Sequence, residues 1–338
     1  MADIRIEELK SLCMELLTKN SFRAKDAEVI VEHLVENECS GKASHGMVRL
    51  PEIISAIRKF GLSTEDPESV HDQGNISVLD AKGQIGVVAG YVATQQAISR
   101  AKEHGLAMVG IKNYIATSGS MAFYLRKFIE QGLIAIMGCN SVAMVAPPAG
   151  KQRMIGTNPV GIAIPGAEDK ALVADLATSA IAYGKIMVMN DKGENVPEGV
   201  LIDKEGEPST NPEDAYEGAI LPLADHKGFS LGLMVELLAG PLIGAKAMKQ
   251  NIYDGDGLFI IAIDPLQFGN SAYFEEIAES LADLKSSPTR PGYDTISIAG
   301  ERSEKTLQMT LQQGKVEVAE KTLQDIRSLL EDIDHAAA

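Results

Sequence analysis

The sequence predicts an α/β fold, a buried central sheet between helical ends, on three observations. Short apolar runs punctuated by glycine, Ala107-Met108-Val109-Gly110-Ile111, Leu133-Ile134-Ala135-Ile136-Met137 and Gly161-Ile162-Ala163-Ile164, alternate with helical spacing over 87–104, 121–131 and 229–242. Runs of that length suit strands covered on both faces. Both ends carry the helical period instead: Leu9, Leu12, Leu16 and Leu17 recur at spacings of three and four, and so do Ala27, Ile30, Val31, Leu34 and Val35. The only Gly-x-Gly, Gly255-Asp256-Gly257, lacks the third glycine of the dinucleotide fingerprint. Any dinucleotide would therefore bind without the first turn of a Rossmann fold.

Taken in order, the first dozen residues read as an amphipathic helix with acids in its first turn, and a further helix over 51–58 ends before Gly61. The sheet region runs from Ile76 to Leu266, with one more core strand over 258–264. Within it the polar stretch 190–217 reads as a long surface loop. Helical spacing returns over 272–285 and 317–333. The two helical ends are expected to pack as one discontinuous domain, residues 1–72 with 268–338, around a sheet domain of residues 73–267.

The 338 residues are 45% hydrophobic and 23% charged, as in ordinary globular chains. Acidic side chains number 47 against 31 basic ones, a net charge of −16. Such a surface repels phosphate backbones and anionic lipid, so neither nucleic acid nor membrane is an expected partner. Any bound anion must be held by a few local cations. Cys13, Cys39 and Cys139 lie far apart without zinc-ligand spacing, so no metal site is expected and the chain reads as reduced and cytoplasmic. The N-terminus lacks the basic and apolar regions of a signal peptide, and no stretch has the roughly 18 uncharged apolar residues of a membrane span.

Four short segments could carry chemistry. In Ser44-His45-Gly46-Met47-Val48-Arg49, a helix opening here would put His45 and Arg49 on one face, with Ser44 as cap or as partner of the imidazole. The histidine can exchange a proton near neutral pH and the arginine offers paired donors to a carboxylate; a capped, solvated helix face is the plain alternative. Ile155-Gly156-Thr157-Asn158-Pro159 reads as a tight turn at a strand edge, functional or merely connecting. Asp175-Leu176-Ala177-Thr178-Ser179 reads as a strand end entering a helix capped by Thr178 or Ser179. Free N–H groups there would suit phosphate or ribose, and Asp175 is either a ribose acceptor or the cap. Asp225-His226-Lys227-Gly228 precedes an apolar helix, whose dipole and lysine suit an anion.

In this order, and with Gly184-Lys185-Ile186, Val196-Pro197-Glu198-Gly199, Asp203-Lys204-Glu205-Gly206 and Leu221-Pro222-Leu223, the segments resemble the malate/L-lactate dehydrogenase family, unrelated to Rossmann-type lactate and malate dehydrogenases. The resemblance covers residues 4–302 and extends to ureidoglycolate, sulfolactate, diketogulonate and piperideine-carboxylate oxidoreductases. It implies a non-Rossmann mixed-sheet cofactor domain, a homodimer, and NAD- or NADP-dependent hydride transfer on a small 2-oxo or 2-hydroxy acid. It implies catalytic roles for His45, Ser44 and Lys185, and substrate contacts from Arg49, Thr157, Tyr183 and Gly184. The cofactor would lie against Thr117, Ser118, Gly119, Ser120, Ser141, Asp175, Leu176, Ala177, His226, Lys227, Gly300 and Glu301.

Two departures stand out. Where many members have Asn-x-Asn-His-Phe-Gly, this chain has Asn113-Tyr114-Ile115-Ala116-Thr117-Ser118-Gly119, so the family histidine falls on Ala116 or Thr117. Its loss leaves a smaller, less basic pocket and opens two alternatives: reduction of cyclic or N-alkyl imino acids, or a non-catalytic dinucleotide-binding homologue. Lys185, where imine-reducing relatives have aspartate, counts against the first alternative, and the retained Ser44, His45 and Arg49 count against the second. Ala299-Gly300-Glu301, in place of Pro-Gly-Glu, has slight consequence.

Overall fold

The computed structural model describes residues 1–167, 170–251 and 255–337. The N-terminal segment is a short strand β1 (Ala2–Arg5) followed by helices α1 (Ile6–Lys19), α2 (Ala24–Cys39) and α3 (Arg49–Phe60). The central part runs β2 (Glu68–Gln73), β3 (Ile76–Asp80), α4 (Gly86–His104), β4 (Leu106–Tyr114), α5 (Met121–Ile129), β5 (Ile134–Cys139), β6 (Val160–Pro165), β7 (Ala171–Leu176) and α6 (Tyr183–Asp191). Then come β8 (Leu201–Ile202), β9 (Pro208–Ser209), β10 (Ala219–Ile220), α7 (His226–Ala239) and β11 (Asp256–Ile263). Helices α8 (Tyr273–Ser286) and α9 (Glu301–Gln313), strand β12 (Lys315–Val318) and helix α10 (Glu320–Ala337) complete the chain.

Seven strands form the main sheet in the order β2-β3-β4-β11-β5-β6-β7. Only β3 and β4 run parallel, joined by α4; every other neighbour is antiparallel. The sheet is thus mixed and mostly antiparallel, without the strand-order reversal that places ligands in doubly wound folds. Buried side chains of β4, β5 and β11 pack with Ala89, Ala93, Ala97, Phe123, Leu125 and Phe128 of α4 and α5 into one core. Val235 and Ala239 of α7 pack on Phe259 from another side. A separate core unites α1, α2 and α3 with α9, β12 and α10. Among the described residues, no helix is long and apolar enough to cross a membrane.

Four local expectations change. Residues 2–5 are a strand, not the start of a helix: Ile4 points inward and pairs with Val316 of β12, while Asp3 and Arg5 face out. Residues 315–318 are that partner strand, and the helix expected from 317 begins at Glu320. Helix α9 has no counterpart in the apolar pattern because only Leu307 is buried on it. The stretch 190–217 is not one loop, since it holds β8, β9 and a 3-10 turn and pairs with β10. Two-residue strands are too short to show a period.

Candidate active site

The turn bearing His45 is set by a buried carboxylate beneath it. Helix α2 ends at Cys39, and Ala43–His45 make a single 3-10 turn. Glu38, buried on α2, accepts the Met47 N–H at 2.7 Å and fills the space below Gly46, where a Cβ would collide with it. Burial pushes the Glu38 carboxyl up to about 7, against the pull of that N–H. The chain therefore breaks at Gly46, and α3 begins only at Arg49. His45 and Arg49 do not share a helix face as expected, and Ser44 is not a cap. Ser44 Oγ instead lies 3.1 Å from His45 Nδ1, and the Ser44 carbonyl accepts Arg49 Nε at 2.8 Å. Arg49 Nη1 donates to Glu52 at 2.6 Å. Gly184 of α6 packs so closely that a Cβ would stand 2.6 Å from Arg49 Nη2. Burial, reinforced by the Arg49 and Lys42 cations and opposed by Asp175, pushes the His45 imidazole down to about 4. It is neutral at physiological pH.

At the end of β7, Asp175 Oδ2 accepts from Lys42 Nζ at 3.1 Å, Ser120 Oγ at 2.9 Å and the Ala122 N–H at 3.2 Å. Burial would raise this carboxyl, but Lys42, Ser120 and His45 outweigh it and hold it below the usual range. Asp175 thus caps α5 across the fold, and only Oδ1 is left for a ligand. Leu176 beside it is exposed. No helix starts at Thr178 or Ser179, contrary to expectation: α6 begins at Tyr183. The Thr178 N–H and Oγ1 both reach the Thr157 carbonyl, at 3.0 and 3.1 Å, and its own carbonyl accepts the Leu223 N–H at 3.0 Å. Asn158 Nδ2 donates to the Gly232 carbonyl at 2.9 Å and to Glu236 Oε2 at 2.6 Å. Glu236, fully buried on α7, also accepts from Met248 N and Asn140 Nδ2. The 155–159 and 175–179 segments are thereby joined directly, both are tied to α7 or the residue run leading into it, and Lys42 links Asp175 to the His45 turn.

The first turn of α7 offers an anion less than expected. The N–H groups of Lys227, Gly228 and Phe229 bond the carbonyls of Ala224, Leu223 and Asp225, so the exposed side chains of His226 and Lys227 are the groups a phosphate would meet. In the 117–120 loop, Thr117 Oγ1 accepts the Gly119 N–H, Ser118 Oγ lies 3.3 Å from Cys139 Sγ, and Ser120 N–H donates to His33 Nε2 at 3.0 Å. Ser141 Oγ backs onto Gly156, leaving no room for a Cβ there. Gly300 crosses β7 at Val173, and Glu301 pairs with Lys285, which holds its carboxyl below the usual range. Tyr183 starts α6 and packs, partly buried, against the small core that includes Ile155 and Ile181, while Lys185 is exposed one residue past Gly184. No hydrogen bond or ion pair among the described residues joins Lys185 to His45.

His33, Lys42, Glu38 and Glu236 are neighbours of the candidate site residues that the sequence did not single out. His33 is fully buried, and burial pushes it down to about 3, so its neutral Nε2 serves as the acceptor beneath Ser120. The available signal was a histidine inside the apolar stripe Ile30-Val31-Leu34-Val35; Lys42 carried none. Gly119 has φ +76° and abuts the His33 ring. Gly119→Ala is therefore expected to cost about 2–4 kcal/mol, combining left-handed strain with overpacking. The midpoint of urea unfolding measures it. Among the described residues, no group of His, Cys, Asp or Glu is placed to hold a metal.

An imidazole and a guanidinium are thus braced on one turn beside a mostly antiparallel sheet that lacks the Rossmann turn. The chain belongs to the malate/L-lactate dehydrogenase family, whose model matches residues 4–327. It is 32% identical to malate dehydrogenase from Pyrococcus horikoshii, over 96% of this chain and 93% of that protein. It is 30% identical to ureidoglycolate dehydrogenase (NAD(+)) from Escherichia coli K12, over 87% of this chain and 86% of that one. The fold superposes on Δ1-piperideine-2-carboxylate reductase from Pseudomonas syringae with a TM-score of 0.85 and 26% identity, covering 97% of this chain and all of that structure.

Proposed function

We propose that the protein transfers a hydride between a nicotinamide dinucleotide, NAD or NADP, and a small 2-oxo or 2-hydroxy acid. The observation that carries this reading is the neutral His45 imidazole, partnered by Ser44 and flanked by Arg49 on one braced turn. The donor set at the strand end fits a dinucleotide: exposed Leu176 offers an apolar ledge for a ring, Asp175 Oδ1 an acceptor for a hydroxyl, and Lys227 a cation for a phosphate. When bound, the cofactor supplies or takes the hydride. Arg49 holds the substrate carboxylate by charge-assisted hydrogen bonds, and its partners Ser44 O and Glu52 fix the guanidinium plane. With Nδ1–H donated to Ser44 Oγ, His45 Nε2 takes the hydroxyl proton in oxidation and returns it in reduction. Lys185 and Thr157 complete the pocket as further substrate-side groups.

The test is nicotinamide absorbance against a panel of 2-oxo, 2-hydroxy and cyclic imino acids with both cofactors. Turnover of hydroxy acids is expected. Turnover of imines alone would favour the second reading, which draws on the piperideine-carboxylate reductase likeness and on the absent family histidine at Ala116 or Thr117. NADH binding without any turnover would favour a non-catalytic homologue. The pH profile is a second arm. Oxidation needs neutral His45, so kcat/KM should hold as pH falls through 6.5 and drop only toward about 4. An acidic limb at or above 6.5 would remove His45 as the base. The homodimer belongs to the same proposal, with exposed Leu231, Met234 and Leu237 on one face of α7 as apolar surface for it. So does a reducing cytoplasmic setting, which suits three free, buried cysteines.

A further inference from the structure

Lys42 lies outside the segments that carry the family resemblance, yet it stands where the N-terminal helices meet the sheet. Its Nζ lies 3.1 Å from Asp175 Oδ2 and 3.5 Å from Ser120 Oγ, across 133 and 78 residues of chain. The side chains of Lys42 and Asp175 are 24% and 16% exposed. A part-buried pair between distant segments is screened less than an exposed pair on one helix face. Of the three donors on Asp175 Oδ2, only Lys42 carries charge.

We infer that Lys42 is a positioning residue for the proposed site: its ammonium bridges the His45 turn to Asp175 and Ser120, fixing where the imidazole stands against the end of β7. The inference rests on the reading of His45 as the proton-handling group. Two consequences separate this from plain structural support. The groups around His45 are Arg49 of α3, Lys42 of its own turn, Asp175 of β7 and His33 of α2, the last neutral. Removing Lys42 withdraws a positive charge near the imidazole and leaves the Asp175 charge unanswered. Both changes favour the imidazolium, so His45 should titrate at higher pH. Arginine, which keeps the charge, should not produce that rise.

The experiment is an NMR titration of the histidine ring protons in the full chain without substrate, His45 being assigned by the signal lost in His45→Gln. In Lys42→Met the His45 midpoint is expected to rise by about 1 pH unit, while Lys42→Arg stays with the wild type. Lys42→Gln, which keeps a donor but not the charge, serves if the methionine variant does not fold, and should rise as well. In an active enzyme the acidic limb of kcat/KM should move by the same amount. An unmoved midpoint in a folded neutral variant, or an equal rise in Lys42→Arg, overturns the inference. Because the midpoint is read without turnover, an inactive wild type would sink the oxidoreductase reading alone. A flat Lys42→Met titration in an active enzyme would sink only this one.

Discussion

Replacing His45 by alanine should lower kcat by about 10²–10⁴-fold, the range for removal of a general acid–base group. Cofactor affinity should stay near the wild-type value, because the His45 side chain bonds Ser44 and none of the groups proposed to hold the dinucleotide. The remaining Ser44 hydroxyl is no substitute, since it takes up a proton far less readily than an imidazole. Single-turnover kinetics paired with an NADH fluorescence titration would check both halves. A variant that keeps its kcat would take His45 out of the chemistry; one that loses NADH binding would move it into the cofactor site.

Arg49→Met should reduce kcat/KM by about 10²–10³-fold, mostly through KM, as expected when a half-buried charged partner of a carboxylate is cut away. Part of the loss will come from the protein itself. The Ser44 carbonyl loses its Nε donor, and the turn beside Gly184 loses the group it packs against. Arg49→Lys should recover little, because one ammonium cannot serve Ser44 O, Glu52 and a substrate carboxylate in the planar geometry the guanidinium provides. Substrate-saturation curves beside thermal melts would divide the two contributions. A KM unchanged in a stable variant would assign the carboxylate to another cation.

The strands at the centre of the sheet were legible because β4, β5, β6 and β11 are apolar runs bounded by glycine or polar residues, a pattern that survives without knowledge of neighbours. The helices α4, α5 and α7 were legible from their helical spacing, with ends displaced by a few residues. Strands β1, β8, β9, β10 and β12 were not, since two to four residues show no period and their partners lie elsewhere in the chain. The candidate site divides the same way. The residue types of the Ser44-to-Arg49 segment announced proton transfer and anion binding, but its break at Gly46 depends on Glu38, a buried carboxylate whose meaning comes only from what sits above it. Lys42, His33 and Glu236 are single residues in unremarkable surroundings, and tertiary contact alone gives them a role.

The pairing of β1 with β12 has a consequence for how the protein is made. The helices around the His45 turn share their core with side chains from residues 307–330, so that core stays open until those residues have left the ribosome. The sheet can assemble earlier, from strands that pair within residues 68–263. A ribosome stalled before residue 315 would therefore hold a nascent chain with its main sheet's strands made and the turn bearing His45 unfinished. The turn bearing His45 should gain its final support only when residues 307–330 fold back onto α1, α2 and α3.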